Sequence, residues 1–252
     1  MKDQINLTDE KFWESFWGKR KDIIYKVAHT NTYWEVFYKE LTDKNFKSFI
    51  EIGGFPGHFS VFAKKYFNLQ PSLIDIVFVP AIFNKLCECN KLKISDFEIF
   101  QGDIFEFQPK NNYDVVFSCG LIEHFKDLNK IIEQHVRICN EGGKIIIIIP
   151  NFRGLFGLAQ LLWDRKTLKA HNLNSMKISV LHEALEKEQN VKHCKVFYYG
   201  ESLTSVGNYE QLNKFQKSLH KVFTACARVF AKWIPVQRLY AHSIVIVAEK
   251  KS

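Results

Sequence analysis

Short apolar segments alternate with segments of helical periodicity from about residue 46 onward. The apolar segments are rich in β-branched and aromatic side chains, and they predict strands at 49–52, 72–76, 97–100, 113–118, 144–149, 194–199 and 243–248. The segments between them predict helices at 58–67, 79–92, 128–139 and 178–189, with a turn at 140–143. Strands that are apolar on both faces are typical of a parallel sheet covered by helices on both sides. The chain is therefore predicted to have a doubly wound α/β fold, with a mostly parallel seven-stranded sheet and an antiparallel edge at its C-terminal end.

Three segments interrupt this alternation. Residues 1–45 have helical spacing and many aromatic side chains, residues 151–177 form a long connection after the fifth strand, and residues 207–240 contain an amphipathic helix. A length of 252 residues suits one large α/β domain. We therefore expect one domain at 46–252 with insertions at 151–177 and 207–240, preceded by the aromatic-rich segment.

The amphipathic helix, expected at 212–234, has an apolar stripe along one face. The stripe consists of Phe215, Leu219, Val222, Phe223, Cys226, Val229, Phe230 and Trp233, and basic residues lie elsewhere on the helix. Such a stripe more often docks onto its own domain or a second subunit, in a monomer or homodimer. Contact with an anionic membrane surface is the less favoured alternative.

The net charge of +8 favours anionic partners, such as phosphorylated or carboxylated small molecules. Nucleic acid is not favoured, because the Lys and Arg residues do not cluster with glycine or aromatic residues. Six scattered cysteines and the lack of a signal-peptide pattern predict a reduced, cytoplasmic protein. Cys87 and Cys89 are the only close cysteine pair, with no histidine nearby, and no metal site is expected.

A glycine-containing loop, Glu51 to Gly57, follows the first predicted strand. Gly53 and Gly57 allow a sharp turn and a close approach of the backbone to a ligand. An acid at the end of the second strand, Asp75, can accept hydrogen bonds from both hydroxyls of a ribose. Because nicotinamide, flavin and nucleotide enzymes use related loops, this loop alone does not identify the cofactor.

Residues 46–150, taken together, resemble the class I S-adenosylmethionine (SAM)-dependent methyltransferases, which are Rossmann-like. The similarity comprises the glycine loop, Asp75, Gln101-Gly102-Asp103-Ile104, the segment from Tyr113 to Phe125, and Gly142-Gly143-Lys144 leading to Pro150-Asn151. The middle glycine of the family's first motif is replaced by Phe55. The resemblance implies SAM as cofactor and S-adenosylhomocysteine (SAH) as product, bound by Glu51, Gly53, Gly54, Phe55, Gly57, Asp75, Ile76, Gly102, Asp103, Ile104, Ser118, Cys119 and Gly120.

The residues expected on the acceptor side are less specific. His124, at the exit of the fourth strand, and His171, in the insertion, are candidate catalytic groups. The alternative for Glu123-His124 is a helix cap or packing against the cofactor, and the alternative for His171 is a surface loop histidine. Tyr25, Tyr33, Arg153 and His171 are candidate substrate contacts.

In this fold a segment such as 1–45 commonly covers the cofactor as a lid. Its aromatic residues Phe12, Trp13, Phe16, Trp17, Tyr33, Trp34, Phe37 and Tyr38 recur at helical spacing. The alternative is that they pack the segment onto the sheet, and most of them are expected to do so.

The leading hypothesis is methyl transfer to an oxygen or nitrogen atom of a small molecule. The positive charge favours an anionic acceptor, such as a phosphorylated, carboxylated or sugar-nucleotide metabolite or a surface-glycan precursor. A quinone or lipid precursor at the membrane surface and a non-catalytic SAM-binding partner protein are the alternatives. Nucleic-acid amino methylation is disfavoured, since Ser118-Cys119-Gly120-Leu121 stands where an Asn/Asp-Pro-Pro-Tyr motif is expected.

Overall fold

The computed structural model describes residues 6–18, 20, 22–42, 44–202, 204–233 and 237–252. The strands are β1 Ser48–Ile52, β2 Gln70–Asp75, β3 Glu98–Gln101, β4 Tyr113–Cys119, β5 Cys139–Pro150, β6 Val191–Ser202 and β7 Ala241–Lys250. The helices are α1 Glu10–Gly18, α2 Trp34–Leu41, α3 His58–Phe67, α4 Pro80–Cys89, α5 Leu128–Arg137, α6 Leu155–Trp163, α7 Arg165–Lys169, α8 Ile178–Lys187, α9 Lys214–Trp233 and α10 Gln237–Tyr240.

The seven strands form one sheet in the order β3-β2-β1-β4-β5-β7-β6. The pairs among β1 to β5 are parallel, and β7 pairs antiparallel with both β5 and β6. The doubly wound, mostly parallel seven-stranded sheet is therefore confirmed. The antiparallel pairing also lies at the end of the sheet formed by the C-terminal strands, with β7 between β5 and β6, so that β6 is the edge strand.

The apolar strands separate two cores, one on each face of the sheet. In β5, Ile145, Ile147 and Ile149 belong to the first core, whereas Ile146 and Ile148 belong to the second. This alternation follows from the two-residue period of a strand. Burial on both faces explains why the segment is a continuous run of isoleucine rather than an alternation with polar residues.

The two helices of the N-terminal segment, α1 and α2, differ in how deeply they are buried. Helix α2 buries Val36, Phe37 and Leu41 against the sheet, and its Glu40 lies 3.5 Å from Nζ of the buried Lys144 in β5. Helix α1, in contrast, contributes no buried residue. Residues 1–45 are therefore not one lid, because α2 belongs to the core of the domain.

Two further segments differ from their predicted structure. Asn140 to Gly143 were predicted to form a turn, but they belong to β5, whose register against β4 shifts between Tyr113 and Val115. Residues 151–177 were predicted as a connection and contain α6 and α7. Helix α6 buries Gly157, Ala159 and Gln160 and leaves three leucines exposed, so its buried face has no apolar periodicity that predicts a helix.

The predicted capping role of Glu123-His124 is wrong for α5. Asp127 is the N-cap residue, and its carboxylate accepts a hydrogen bond from the amide of Lys130 at 3.3 Å. The Asp127→Ala substitution is expected to lower the free energy of unfolding by about 1 kcal/mol, the usual cost of losing such a cap. Urea denaturation measures this change. A matching loss in Glu123→Gln with no loss in Asp127→Ala would contradict the assignment.

Candidate functional site

The predicted cofactor loop lies where the strand order reverses. Strand β1 pairs with β2 on one side and β4 on the other, and the loop leaves its carboxyl end. The amide of Gly53 donates to the carbonyl of Ile74 at 2.8 Å, which holds the start of the loop against β2. In open α/β sheets this reversal point opens a crevice that binds ligands.

Gly53 and Gly57 have positive φ angles of 63° and 97°. A side chain at either position would also collide with a neighbour. An added Cβ would lie 2.6 Å from Cδ1 of Leu121 at Gly53, and 2.5 Å from the ring of Phe83 at Gly57. Backbone conformation and close packing therefore both require glycine at these positions.

Glu51 is buried at the end of β1, and one of its oxygens accepts two hydrogen bonds from Ser60. These come from the amide at 2.7 Å and the hydroxyl at 2.6 Å. Burial raises the pKa of Glu51 to about 8, although the bonds from Ser60 act in the opposite direction. The carboxyl therefore joins the loop to α3 and is largely protonated at neutral pH in the cofactor-free protein.

Asp75 connects the end of β2 to the loop. Its two oxygens accept hydrogen bonds from the amides of Phe55 and Val77, both at 2.9 Å. Burial raises the pKa of Asp75 to about 6, so the carboxylate is mostly ionised at neutral pH. Each oxygen retains capacity for a further donor, such as a ribose hydroxyl.

The ring of Phe55 is buried rather than directed into open space. It packs edge-on against Trp17 of α1, with centroids 5.5 Å apart, and against Phe78 at 5.9 Å. The residue that replaces the family's middle glycine thus anchors α1 to the loop through its side chain, while its amide bonds to Asp75.

The remaining predicted cofactor residues that follow β2 and β3 lie beyond the carboxyl ends of these strands, on the same side as the loop. Gly102 donates its amide to the carbonyl of Asp75 at 2.9 Å. Asp103 accepts a hydrogen bond from the amide of Phe105 at 3.0 Å, which orders the turn after β3. Ile104 is buried in the first core, and Ile76 is partly exposed.

Three predicted cofactor residues lie at the carboxyl end of β4. The hydroxyl of Ser118 is buried and bonds with Nε2 of His135 in α5 at 2.9 Å, so that only its backbone faces the end of the sheet. Burial raises the pKa of the Cys119 thiol. Gly120 has a φ of 70°, and a Cβ added there would lie 3.6 Å from Oε1 of Glu123.

A cluster of three titratable residues follows directly. Glu123 and His124 form a 3₁₀ turn after β4, and His171 approaches from the insertion after α7, with its ring 4.4 Å from that of His124. The two predicted catalytic histidines are therefore brought together. Trp13 of α1 packs on His124 at 4.9 Å, and Phe152 packs on His171 at 4.9 Å.

The cluster is held in electrically neutral form by its burial. Desolvation raises the pKa of Glu123 to about 8 and lowers that of His124 to about 3, with His171 contributing to the latter. Burial also lowers the pKa of His171. Since Nδ1 of each histidine meets a backbone carbonyl, that of Ala170 or Thr167, the neutral tautomer carries its lone pair on Nε2.

The other predicted substrate residues are dispersed. The Tyr33 hydroxyl bonds with Ser243 at 2.7 Å. Tyr33 lies near Cys119, the last residue of β4, and burial together with this thiol raises the pKa of Tyr33. Tyr25 is half-exposed and stacks on His58 at 4.3 Å, beside the start of α3. Arg153 is exposed at the start of the insertion.

Sequence reasoning missed Glu123 as a member of the site. Glu123 was considered only as a helix cap or as packing against the cofactor, because a single acid after a strand carries no distinctive spacing. The signal available was its position beside His124. The turn that carries Glu123 is held by distant segments, because the amide of Asn172 donates to the carbonyl of Glu123 and the amide of Leu7 donates to the carbonyl of His124, both at 2.7 Å.

A family model described as a methyltransferase domain matches residues 27–205, which is more than half of the chain. The match begins ahead of α2, in agreement with the packing of that helix in the core. No curated protein matches the sequence.

Solved structures with the same fold include phosphoethanolamine N-methyltransferase 2 of Haemonchus contortus, in complex with phosphomonomethylethanolamine and SAH. The identity is 16% and the TM-score 0.58, with 86% of this chain and 52% of that enzyme covered. This chain thus spans about half the length of that enzyme.

Two shorter methyltransferases are also similar. The plantazolicin methyltransferase BpumL, in complex with a monoazolic desmethylPZN analog and SAH, is 13% identical with a TM-score of 0.53, covering 86% of this chain and 80% of BpumL. A SAM-dependent methyltransferase from Archaeoglobus fulgidus is 17% identical with a TM-score of 0.50, covering 86% and 94%. The chain belongs to the methyltransferase domain family, and it has the class I fold of the SAM-dependent methyltransferases.

Proposed function

We propose that the chain binds SAM at the loop after β1 and transfers its methyl group to an oxygen or nitrogen atom of a small molecule. The acceptor's lone pair attacks the methyl carbon, and the sulfur–methyl bond breaks with its electrons passing to sulfur, which releases SAH. Such an in-line displacement depends mainly on alignment and on the exclusion of water.

The observation that carries this proposal is the position of α1. Trp17 of this helix packs on Phe55 in the cofactor loop, and Trp13, one turn earlier, packs on His124 in the cluster. One helix therefore covers both the predicted donor site and the adjoining polar cluster. Because α1 buries no residue of its own, we propose that α1 alone acts as the lid.

The side chains of the site favour an acceptor without negative charge near the reacting atom. The cluster of Glu123, His124 and His171 is uncharged and offers no cation to an anionic group, and the predicted anion contact, Arg153, is exposed. A pKa near 3 also makes His124 a weak base at neutral pH. We therefore propose a hydroxyl or amine acceptor, and transfer that depends more on positioning than on a histidine base.

Calorimetry with SAM and SAH tests the cofactor assignment. Both ligands are expected to bind the purified chain with one site per molecule. Formation of SAH in the presence of a panel of hydroxyl and amine acceptors then separates an enzyme from a non-catalytic SAM-binding partner. A well-folded protein that binds neither ligand would exclude both.

A second candidate function, methylation of an amphiphilic acceptor at an anionic membrane surface, is favoured by the exposed face of α9. The predicted stripe was expected to dock onto the domain or a second subunit. Within this chain only His220 and Ala227 of α9 are buried, and Phe223 packs on Trp163 of α6. Most of the stripe is exposed, including Phe215 at 72% and Trp233 at 81%.

Helix α6 extends this apolar surface through three partly exposed leucines, Leu158, Leu161 and Leu162. Helix α9 carries the basic residues Lys214, Lys217, Lys221, Arg228 and Lys232 and no acidic residue. Two copies docked through this face would bring like charges together, so the charge favours acidic lipid over a second subunit. Within the described residues, none of the helices has the length and apolar character needed to cross a bilayer.

Vesicle sedimentation tests this surface. The chain is expected to bind vesicles that contain phosphatidylglycerol and not vesicles of phosphatidylcholine alone. Joint replacement of Phe215 and Phe230 by Ser should weaken binding at least about tenfold, because each buried ring contributes about 1.5–3 kcal/mol. Tyr38→Ser, at an equally exposed aromatic residue of α2, is the matched control. Equal binding to both vesicle types, or a dimer in solution that the double substitution dissociates, would rule out the membrane surface as the occupant.

A further inference from the structure

We propose that Glu123, His124 and His171 form a binding site for a divalent transition metal of the zinc class. One ligand atom from each residue lies within 4.8 Å of the others, and the three side chains come from two segments that the fold brings together. Rotation of the three side chains would bring these ligand atoms closer to one another, around a single ion.

The carboxyl of Glu123 is the first observation that points to a cation. Glu123 is completely buried, and within the part of the chain that the structure describes neither Oε1 nor Oε2 has a hydrogen-bond partner. Buried polar groups in proteins are nearly always paired, because an unpaired one costs the full free energy of desolvation. A metal ion would satisfy this carboxylate.

The two histidines are oriented as metal ligands commonly are. Nδ1 of His124 lies 2.8 Å from the carbonyl of Ala170, and Nδ1 of His171 bonds to the carbonyl of Thr167. A backbone carbonyl at Nδ1 fixes the ring and places the lone pair on Nε2, the usual supporting interaction of a metal-bound histidine.

The ligand types select the metal. Two imidazole nitrogens and one carboxylate suit Zn²⁺ or Fe²⁺, whereas Mg²⁺ and Ca²⁺ prefer oxygen ligands throughout. Three protein ligands leave at least one coordination position open. Trp13 and Phe152 pack on the two histidine rings and supply an apolar shell around the ion.

An open coordination position would accept the oxygen or nitrogen atom of the methyl acceptor and fix its direction. This use of the site rests on the proposed function, whereas metal binding itself does not. The carboxylate would then neutralise part of the ion's charge and would no longer be unpaired.

Titration of the chelator-treated protein with Co²⁺, followed by visible absorption and displacement with Zn²⁺, tests the site. One ion per chain is expected to bind. His124→Ala and His171→Ala should each weaken binding more than about tenfold, because each removes a ligand. His182→Ala on α8 and Cys226→Ser, at an exposed thiol, are the matched controls and should retain the parent affinity.

Binding of SAH to the same variants separates this inference from the proposed function. His171→Ala lies in the insertion and should bind SAH like the parent, which also shows that it is folded. If the protein binds SAH but takes up no Co²⁺, or if both histidine variants bind Co²⁺ like the parent, the metal site is excluded and methyl transfer stands. A cobalt–thiolate band that disappears in Cys226→Ser would likewise overturn it.

Discussion

The Glu51→Gln variant is expected to be more stable than the parent protein at pH 8 and yet to bind SAH more weakly. The pKa of Glu51 is about 8 in the folded protein, against an ordinary value of 4.5. The folded protein therefore keeps a proton on this carboxyl that the unfolded chain releases. The contribution to stability is complete below pH 4.5 and is lost progressively as the pH rises towards 8.

Glutamine has no proton to lose, and its side-chain oxygen can still accept the hydrogen bond from the amide of Ser60. The stability advantage of the variant should therefore be small at pH 5 and reach about 2–4 kcal/mol at pH 8. For a domain of this size, that corresponds to a rise in melting temperature of about 5–10 °C. Thermal unfolding of the cofactor-free proteins at pH 5, 6.5 and 8 measures it.

Binding should change in the opposite direction, because we propose that the ionised Glu51 carboxylate holds the ammonium group of the cofactor. Loss of that charge is expected to weaken SAH binding about 10- to 100-fold by calorimetry, the range for hydrogen bonds to charged groups. Glu183→Gln, at an exposed acid paired with Lys187 at 2.7 Å, is the control and should show no pH-dependent gain. If the melting temperatures of Glu51→Gln and the parent run parallel from pH 5 to 8, Glu51 is already ionised in the free protein.

The Asp75→Ala variant is expected to lose about 100-fold or more in SAH affinity. The carboxylate holds the loop through the amides of Phe55 and Val77, and it is proposed to accept the ribose hydroxyls as well. Hydrogen bonds to a charged group contribute about 1.5–3 kcal/mol each, so the loss of two or more amounts to at least two orders of magnitude.

The same carboxylate predicts how SAH binding depends on pH. Since the pKa of Asp75 is about 6, affinity should decline as the pH falls from 7 to 5, where protonation removes acceptor capacity. Asp96→Ala removes a carboxylate that accepts from the amide of Lys93, outside the loop, and should leave SAH affinity within about twofold of the parent. Unchanged binding in a folded Asp75→Ala protein would show that the ribose lies elsewhere.

The sheet and its loop could be predicted from the sequence because their signals are local. A short β-branched run such as Ile145 to Ile149 predicts a strand with no polar face, which requires helices on both sides. Gly53 and Gly57 follow a strand end directly, and Asp75 follows the next strand. Each of these features occupies a few consecutive residues, and the order of strands in this fold places them at one edge.

The position of β7 and the role of α2 could not be predicted in this way. Both depend on long-range pairing, since β7 inserts between β5 and β6, and Glu40 of α2 reaches Lys144 in β5. An apolar strand or an aromatic helix carries no information on its partner when several partners are equally apolar. Within the described part of residues 1–45, α1 and α2 are helical, but the sequence did not indicate that the two helices pack in different places.

The sequence by itself determined the α/β fold and the glycine loop after β1, and it proposed the two histidines as candidates, since each depends on residue types at short spacing. Only the tertiary structure decided that His124 and His171 meet at the carboxyl of Glu123, which has no hydrogen-bond partner among the described residues, because the two histidines are distant along the chain. It also decided that the stripe of α9 is largely exposed. Amphipathic spacing defines an apolar face of a helix, but only the packing of the whole chain decides whether that face is covered.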